Sequence, residues 1–220
     1  MTSGRVDDVS AIVLAGGRSS RFGRSKLEAE VDGVSLLELA IRAVAAVVPE
    51  IVVALPEDPS SAEPMLGDIP GDPVVRFVRD PEAYGGPLVG LATALEGTTG
   101  RRVIVVAGDM PRLRPAVLQA MLDALGSATT EPGQAIPDAI VLTSEGGARP
   151  LPVALAVDAA RRAATETLGA GDRSLRAMLA RLAVGELDAE TWRALDPHGA
   201  TLIDIDVPAD IDALGTADRS

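Results

Sequence analysis

The feature that most constrains the fold is the alternation of short apolar runs with helical patterns along the chain. The apolar runs have the length and β-branched content of buried strands, and stretches with apolar residues at helical spacing separate them. Strands alternating with helices predict a mostly parallel sheet with helices on both faces, a Rossmann-like three-layer α/β/α sandwich. The predicted strands are 11–15, 51–55, 74–78, 103–107, 139–143, 152–157 and 202–205.

Helical patterns fill most of the intervals between these runs. Ser35 is predicted to cap the first helix, with Glu38 as its capping-box partner three residues later. Residues 27–32 are predicted to be extended, and 145–151 to form a loop. At 220 residues, with no internal repeat or evident linker, the chain is predicted to be one domain over 1–220, with its core at about 10–214. The predicted helices are 36–47, 87–96, 115–125, 159–168, 174–182 and a short one from Pro208 to 214.

Composition excludes several classes of function. The absence of cysteine removes disulfides, thiolate metal sites and cysteine nucleophiles. The single histidine, His198, lies in a predicted loop, so a nucleophilic triad lacks its parts. A net charge of −12 argues against nucleic acid or an anionic membrane as partner. With a polar N-terminus and no apolar run of about 20 residues, we expect a cytoplasmic protein.

A glycine pair followed by cations is the strongest functional signal. Gly16 and Gly17 end the first apolar run, and glycine allows a sharp turn and a close approach to a ligand. Lys26 is the only lysine of the chain. Together with three nearby arginines it makes a local excess of positive charge, which indicates an anionic ligand. The sequence predicts a polyphosphate site at the carboxyl end of the first strand. The basic residues of this loop are Arg18, Arg21, Arg24 and Lys26.

Other informative residues also follow predicted strands. Ligands of α/β sheets bind beyond the carboxyl ends of the strands, so residues at these ends are expected to share one site. Gly86 precedes Pro87 at a predicted helix start, a second candidate position for a phosphate or a ribose. The residues at or just after strand ends are Gly16, Asp80, Gly86, Asp109 and Asp206.

Asp109, in Gly-Asp-Met-Pro, is a candidate ligand of Mg²⁺. Magnesium prefers one or two carboxylates together with substrate phosphates. A second carboxylate is predicted from Asp206, which lies nearer the end of its strand than Asp204. The alternative for Asp109 and Asp206 is a helix cap, a position that aspartate also favours.

Two common nucleotide-binding fingerprints are missing from the sequence. Gly-x-x-x-x-Gly-Lys-Ser/Thr is not present, and the first turn does not match Gly-x-Gly-x-x-Gly. Phosphoryl-type transfer needs mainly positioning, metal and charge neutralisation from the protein. A site of glycine, arginine, lysine and aspartate therefore fits nucleotidyl transfer between two anions.

These segments together resemble the NTP-dependent nucleotidyltransferases, and within them the molybdenum cofactor guanylyltransferases of the MobA type. The loop 14–26, Leu-Ala-Gly-Gly-x-Ser-x-Arg-Phe-Gly-x-x-Lys, is similar to the signature of the superfamily. The order of the remaining segments resembles the guanylyltransferases over residues 10 to 214. These segments are Asp80 with Gly-Pro-Leu-Val-Gly at 86–90, Gly-Asp-Met-Pro at 108–111, Arg-Pro-Leu at 149–151, Gly-Asp-Arg-Ser-Leu at 171–175 and Asp-Ile-Asp-Val-Pro at 204–208.

The resemblance implies transfer of GMP from GTP to the terminal phosphate of the molybdopterin molybdenum cofactor, with Mg²⁺ as cofactor and pyrophosphate as product. It implies catalytic roles for Arg21, Lys26 and Asp109, and metal binding by Asp109 and Asp206. Arg149 and Arg173 are the implied contacts of the acceptor phosphate. The implied partners are GTP and the molybdopterin cofactor, with a cofactor-delivery protein as a further candidate. The implied nucleotide-binding residues are Leu14, Ala15, Gly16, Gly17, Lys26, Asp80, Gly86 and Asp109.

Three alternatives remain open from the sequence. Leu55-Pro56 stands where family members often carry an asparagine that helps to read guanine, and Arg149 stands where they carry glutamine. The same chemistry thus fits a cytidylyltransferase of the molybdenum cofactor, or a transferase acting on another phosphorylated acceptor. A nucleotide-binding regulator without catalysis is the alternative of a different class.

Overall fold

In the computed structural model, the described parts of the protein are residues 8–16, 26–57, 63–81, 85–126, 136–144 and 146–211. Most of the predicted cationic loop, including Gly17, Arg18, Arg21 and Arg24, lies outside these ranges. Among the described helices, none is long and apolar enough to cross a bilayer.

A seven-stranded sheet forms the centre of the described fold, in the spatial order β5-β4-β1-β6-β8-β7-β9. Every strand pair is parallel except those made by β8, which runs antiparallel to both β6 and β7. Two short strands, β2 and β3, form a separate antiparallel pair. The strands are β1 Val9–Leu14, β2 Glu30–Val31, β3 Val34–Ser35, β4 Glu50–Leu55, β5 Val74–Arg79, β6 Arg102–Ala107, β7 Ala139–Ser144, β8 Gly147–Ala156 and β9 Val184–Leu187.

Helices cover both faces of this sheet. The central strands are buried on both faces, so successive residues face different cores: Val13 packs with α1 and α3, and Ile12 with α2 and α4. The three-layer α/β/α prediction is confirmed. The helices are α1 Leu36–Ala45, α2 Pro87–Glu96, α3 Pro115–Gly126, α4 Val157–Gly169, α5 Leu175–Leu179 and α6 Ala189–Leu195, with 3₁₀ turns at Lys26–Glu28 and Ala200–Leu202.

The first helix begins as its sequence predicts. The Ser35 hydroxyl accepts a hydrogen bond from the Glu38 N–H at 3.2 Å, which confirms the N-cap. The Glu38 carboxylate pairs with Arg42 one turn later, at 2.6 Å. Local sequence therefore sets where α1 starts.

Two strand predictions were wrong. Residues 145–151 were expected to be a loop, but β8 already begins at Gly147 and forms a hairpin with β7, where Arg149 pairs with Leu142. Residues 202–205 were expected to be a strand, but they are the end of a 3₁₀ turn and irregular backbone. Ile205 in this segment packs against Ala29 and Leu36 instead of joining the sheet. Its apolar side chain therefore anchors the segment to the rest of the protein.

Smaller differences concern short polar elements. The helix predicted over 174–182 ends at Leu179, and the segment predicted to be extended over 27–32 opens with a 3₁₀ turn. Strand β9 and helix α6 were missed because their sequences are short and mixed in polarity. Pairing with β7 holds β9 in place, and the burial of Trp192 in the core holds α6 in place.

Candidate active site

The carboxyl ends of the central strands form one edge of the sheet, and backbone hydrogen bonds hold the following loops side by side. The Ala15 N–H donates to the Ala54 C=O at 2.8 Å, and the Gly108 N–H donates to the Leu14 C=O at 2.9 Å. The loops after β1, β4 and β6 therefore begin in contact. This is the edge at which α/β proteins bind their ligands.

Lys26, Asp109 and Asp206 meet at this edge. The Lys26 ammonium donates to Asp109 Oδ2 at 2.8 Å and to Asp206 Oδ1 at 3.2 Å. The Lys26 side chain is 14% exposed, that of Asp109 26% and that of Asp206 67%. The structure thus brings together three predicted site residues from the start, middle and end of the chain.

The charge of Lys26 is stabilised at this position. Burial opposes the charged form, but the hydrogen bonds and charges of Asp109 and Asp206 outweigh it and raise the pKa of Lys26 above its usual value. The ammonium is therefore permanently charged at neutral pH. A fixed cation at a glycine-bordered edge suits an anionic ligand.

The segment before Asp206 is anchored next to both partners. The Ile205 N–H donates to the Asp109 C=O at 3.0 Å, and the Ile205 side chain is fully buried. It packs with Ala29, which follows the 3₁₀ turn of Lys26, and with Leu36 at the start of α1. One small apolar cluster therefore fixes the C-terminal segment against the segment that carries Lys26.

Asp80, after β5, is buried close to two glycines. Its N–H donates to the Leu55 C=O at 3.0 Å, and the residue is 8% exposed. A Cβ at Gly90 would lie 3.1 Å from Asp80 Oδ1, and one at Gly16 would lie 3.8 Å from Oδ2. Within the described parts of the chain, Oδ1 has no hydrogen-bond partner, and burial raises the pKa of Asp80 to about 6. This carboxyl keeps hydrogen-bonding capacity for a ligand.

Arg173 packs against the start of α2. Gly86 has φ of +90°, and a Cβ there would lie 3.2 Å from the Arg173 C=O, which explains the need for glycine. Arg173 Nη1 donates to the Gly85 C=O at 3.3 Å, and the Leu88 N–H donates to the Arg173 C=O at 3.4 Å. Arg173, which was predicted to contact the acceptor substrate, therefore touches the segment predicted to bind the nucleotide. Its C=O already accepts the Leu88 N–H at the start of α2.

The remaining predicted residues lie along the same edge or outside the described chain. Leu14 and Ala15 are buried at the end of β1, and Gly16 is exposed. Arg149 is half-buried near the start of β8, which begins at this edge because it runs opposite to β7. Gly17 and Arg21 lie outside the described residues. The functional roles given to all of these residues remain predictions.

Sequence reasoning missed Asp210. Its Oδ2 accepts the N–H groups of Asp206 at 2.7 Å and of Val207 at 2.8 Å. The signal was available, because an acidic residue three positions after Val207, with Pro208 between them, has the spacing of a capping box.

The donor set at this edge fits a magnesium ion that arrives with phosphate. Among the described residues, no group of three or more histidine, aspartate or glutamate side chains could enclose a metal. Asp109 and Asp206, which contact the same ammonium, provide two carboxylates. Two carboxylates, with the remaining positions left to water and substrate phosphates, match the preference of Mg²⁺.

The mostly parallel three-layer sheet, with glycines, a lysine and carboxylates at its carboxyl edge, defines an α/β protein of the nucleotidyltransferase type. Residues 11–187 match the family model of the MobA-like NTP transferase domain, and the chain belongs to this family of nucleotidyltransferases. The resemblance seen in the sequence is confirmed.

Bacterial relatives of the chain carry the name probable molybdenum cofactor guanylyltransferase. The chain is 30% identical over 213 residues to a probable molybdenum cofactor guanylyltransferase of Chloroflexus aggregans, covering 92% of this chain and 91% of that protein. It is 35% identical over 132 residues to one of a Nostoc species, covering 60% of each chain.

Solved structures show the same fold. Molybdopterin-guanine dinucleotide biosynthesis protein A from Archaeoglobus fulgidus superposes with a TM-score of 0.74 at 23% identity, covering 95% of this chain and 98% of that one. The 4-diphosphocytidyl-2C-methyl-D-erythritol synthase of Anaerococcus prevotii gives a TM-score of 0.67 at 14% identity, covering all of both chains. At these identities the likeness shows the fold alone, and one fold can serve different functions.

Proposed function

We propose that this protein transfers GMP from GTP to the terminal phosphate of the molybdopterin molybdenum cofactor and releases pyrophosphate. The observation that carries the proposal is the Lys26 ammonium held between Asp109 and Asp206 at the carboxyl edge of the sheet. The guanine base and the acceptor come from the Chloroflexus aggregans relative, which aligns over nearly the whole chain under that name.

The proposed chemistry needs no histidine or cysteine. An oxygen of the acceptor phosphate, already ionised at neutral pH, attacks the α-phosphorus of GTP. The bond from this phosphorus to the bridging oxygen of the β-phosphate breaks, and pyrophosphate leaves with that oxygen. Catalysis then consists of aligning two anions and neutralising their charge, which suits the residues at this edge.

Each predicted residue has a place in this proposal. Lys26 and Arg21 contact the triphosphate. Asp80 offers Oδ1, which has no hydrogen-bond partner among the residues that the structure describes, to the nucleotide. Arg149 and Arg173 contact the acceptor phosphate. The nucleotide also contacts Leu14, Ala15, Gly16, Gly17 and Gly86.

Asp109 and Asp206 would hold Mg²⁺ at the triphosphate. When bound, the ion neutralises phosphate charge and orients the reacting group. Lys26 contacts both carboxylates, so its ammonium can also bind the phosphates of a nucleotide that enters beside them. The cytoplasmic location and the cofactor-delivery partner both remain predictions from the sequence.

Pyrophosphate release tests the proposal. The protein is incubated with Mg²⁺, the molybdopterin cofactor and each of the four NTPs in turn, and with GTP without acceptor as control. We expect release with GTP only, dependent on the acceptor. Release with CTP alone would instead establish a cytidylyltransferase, and nucleotide binding without release under any combination would favour the regulator. Release with GTP and a different phosphorylated acceptor would keep guanylyl transfer as the reaction but would overturn the proposed acceptor.

A further inference from the structure

The Asp206 carboxylate has little side-chain packing to hold it. It is 67% exposed, and its contact with Lys26 Nζ is the longer of the two made by that ammonium, at 3.2 Å. Its direction therefore depends on the backbone on either side.

The backbone before Asp206 is anchored through Ile205, whose N–H donates to the Asp109 C=O. The backbone after it is anchored by Asp210. Oδ2 of Asp210 accepts the N–H groups of both Asp206 and Val207, at 2.7 and 2.8 Å.

We propose that Asp210 is a positioning residue of the active site. By accepting the N–H groups of Asp206 and Val207, it orients the Asp206 carboxylate toward Lys26 and toward the metal ion that Asp206 and Asp109 would bind together. This inference rests on the proposed function, since it takes Asp206 as a ligand of the metal. Asp210 itself contacts no substrate in this proposal and acts through Asp206.

Two simpler roles would also explain the contacts of Asp210. It could serve only as the cap of the helical turn 208–211, or contribute only its negative charge near Lys26. Asp210→Asn separates charge from geometry, because an amide oxygen has two lone pairs and can accept both N–H groups. Asp210→Ala removes both. The pair Asp206→Ala and Asp206→Ala/Asp210→Ala shows whether Asp210 acts through Asp206.

The single lysine provides a readout that does not need turnover. Protein labelled with ¹³C-lysine has one labelled side chain, Lys26, whose Cε signal a nearby Mn²⁺ ion will broaden. Mn²⁺ is titrated as the probe for Mg²⁺ in the presence of GTP and without acceptor, and the concentration giving half broadening is measured. Asp188→Ala is the matched control, because Asp188 caps α6 by the same kind of hydrogen bond, from the Thr191 N–H at 2.8 Å.

We expect Asp210→Ala to raise the half-broadening concentration about tenfold, a loss typical of removing the support of a metal ligand. Asp210→Asn is expected to stay within about threefold of wild type, and Asp188→Ala to be unchanged. Adding Asp210→Ala to Asp206→Ala should have no further effect. Circular dichroism melts of every variant verify folding.

Other outcomes would overturn the inference. An equal loss in Asp210→Asn and Asp210→Ala assigns the effect to charge, and an additive loss in the double variant shows that Asp210 does not act through Asp206. A wild-type value in Asp210→Ala leaves only a helix cap, while the proposed function stands. Failure of Mn²⁺ to broaden the Lys26 signal in the wild type overturns the proposed metal placement and, with it, the role of Asp210.

Discussion

At the scale of single residues, Asp80 is buried, and its Oδ1 accepts no hydrogen bond from the described part of the chain. Its folded-state pKa of about 6 lies above the ordinary value of 3.8, so the folded protein binds its proton more tightly than the unfolded chain does. The carboxyl therefore costs no stability below about pH 4. The free energy of unfolding falls as pH rises from there through 6, and the penalty is complete above pH 7.

We therefore expect Asp80→Asn to stabilise the protein at neutral pH, because the amide has no charge to bury. The free energy of unfolding should exceed that of the wild type by about 2 kcal/mol at pH 7.5. The gap should close toward pH 4. Urea unfolding at both pH values measures the difference, and a gap independent of pH would contradict the shifted pKa.

Asp109 belongs to the same scale but should affect activity rather than stability. Its side chain is 26% exposed in a loop, so Asp109→Ala leaves no large cavity. We expect pyrophosphate release to fall at least about a hundredfold, the loss typical of removing one charge-stabilising group, with an unchanged melting temperature. Asp158→Ala, whose carboxylate is 86% exposed on α4, should retain activity. Near-normal turnover in Asp109→Ala would remove the metal assignment.

At the scale of elements, a polar cluster ties the sheet together at the edge opposite the site. Glu50, at the start of β4, is 7% exposed and accepts from the Ser10 hydroxyl, from the N–H and hydroxyl of Thr99 and from Arg76. Burial opposes its charge, but these hydrogen bonds and the Arg76 charge outweigh it and lower the pKa of Glu50. Its contribution to stability is therefore present above about pH 4.5 and is lost as pH falls through the lowered pKa.

Glu50→Gln is expected to lower the free energy of unfolding by about 2 kcal/mol at pH 7, since it weakens hydrogen bonds to a buried charged group. The difference from wild type should be smaller at pH 3.5 than at pH 7, since less of the wild-type carboxylate is ionised at the lower pH. Urea denaturation at the two pH values is the measurement. Asp8→Asn, which removes an exposed ion pair with Arg101, should change stability by only about 0.5 kcal/mol. An equal loss at both pH values would show that packing, not charge, is responsible.

At the scale of the whole molecule, the C-terminal segment closes the site by packing against the first third of the chain. We expect Ile205→Ala to cost about 2–4 kcal/mol, because it empties a fully buried position between Ala29 and Leu36. It should also weaken metal dependence, since Asp206 follows directly. Ile203→Ala, two residues earlier and 37% exposed, is the matched control and should cost about 0.5 kcal/mol. Thermal melts compare the two, and equal losses would contradict the anchoring role of Ile205.

Much of the fold was predictable because its signals are local. The apolar runs that became β1, β4, β5, β6 and β7 are bounded by turn residues, and Ser35 caps its helix within three residues of sequence. The first half of β8 was missed, since a segment containing Arg149 and Pro150 becomes a strand only by pairing with β7. The run at 202–205 was misread, because an apolar stretch that fills a pocket has the same local pattern as one that joins a sheet.

The sequence by itself determined that this is a parallel α/β protein with glycines, a single lysine and aspartates after its strands, because periodicity and turn chemistry act over a few residues. Only the tertiary structure decided that Lys26 contacts an aspartate 180 positions away, and that the Ile205 N–H, next to that aspartate, donates to the Asp109 C=O. Such contacts depend on how distant segments pack on one edge of the sheet. No pattern of neighbouring residues encodes that geometry.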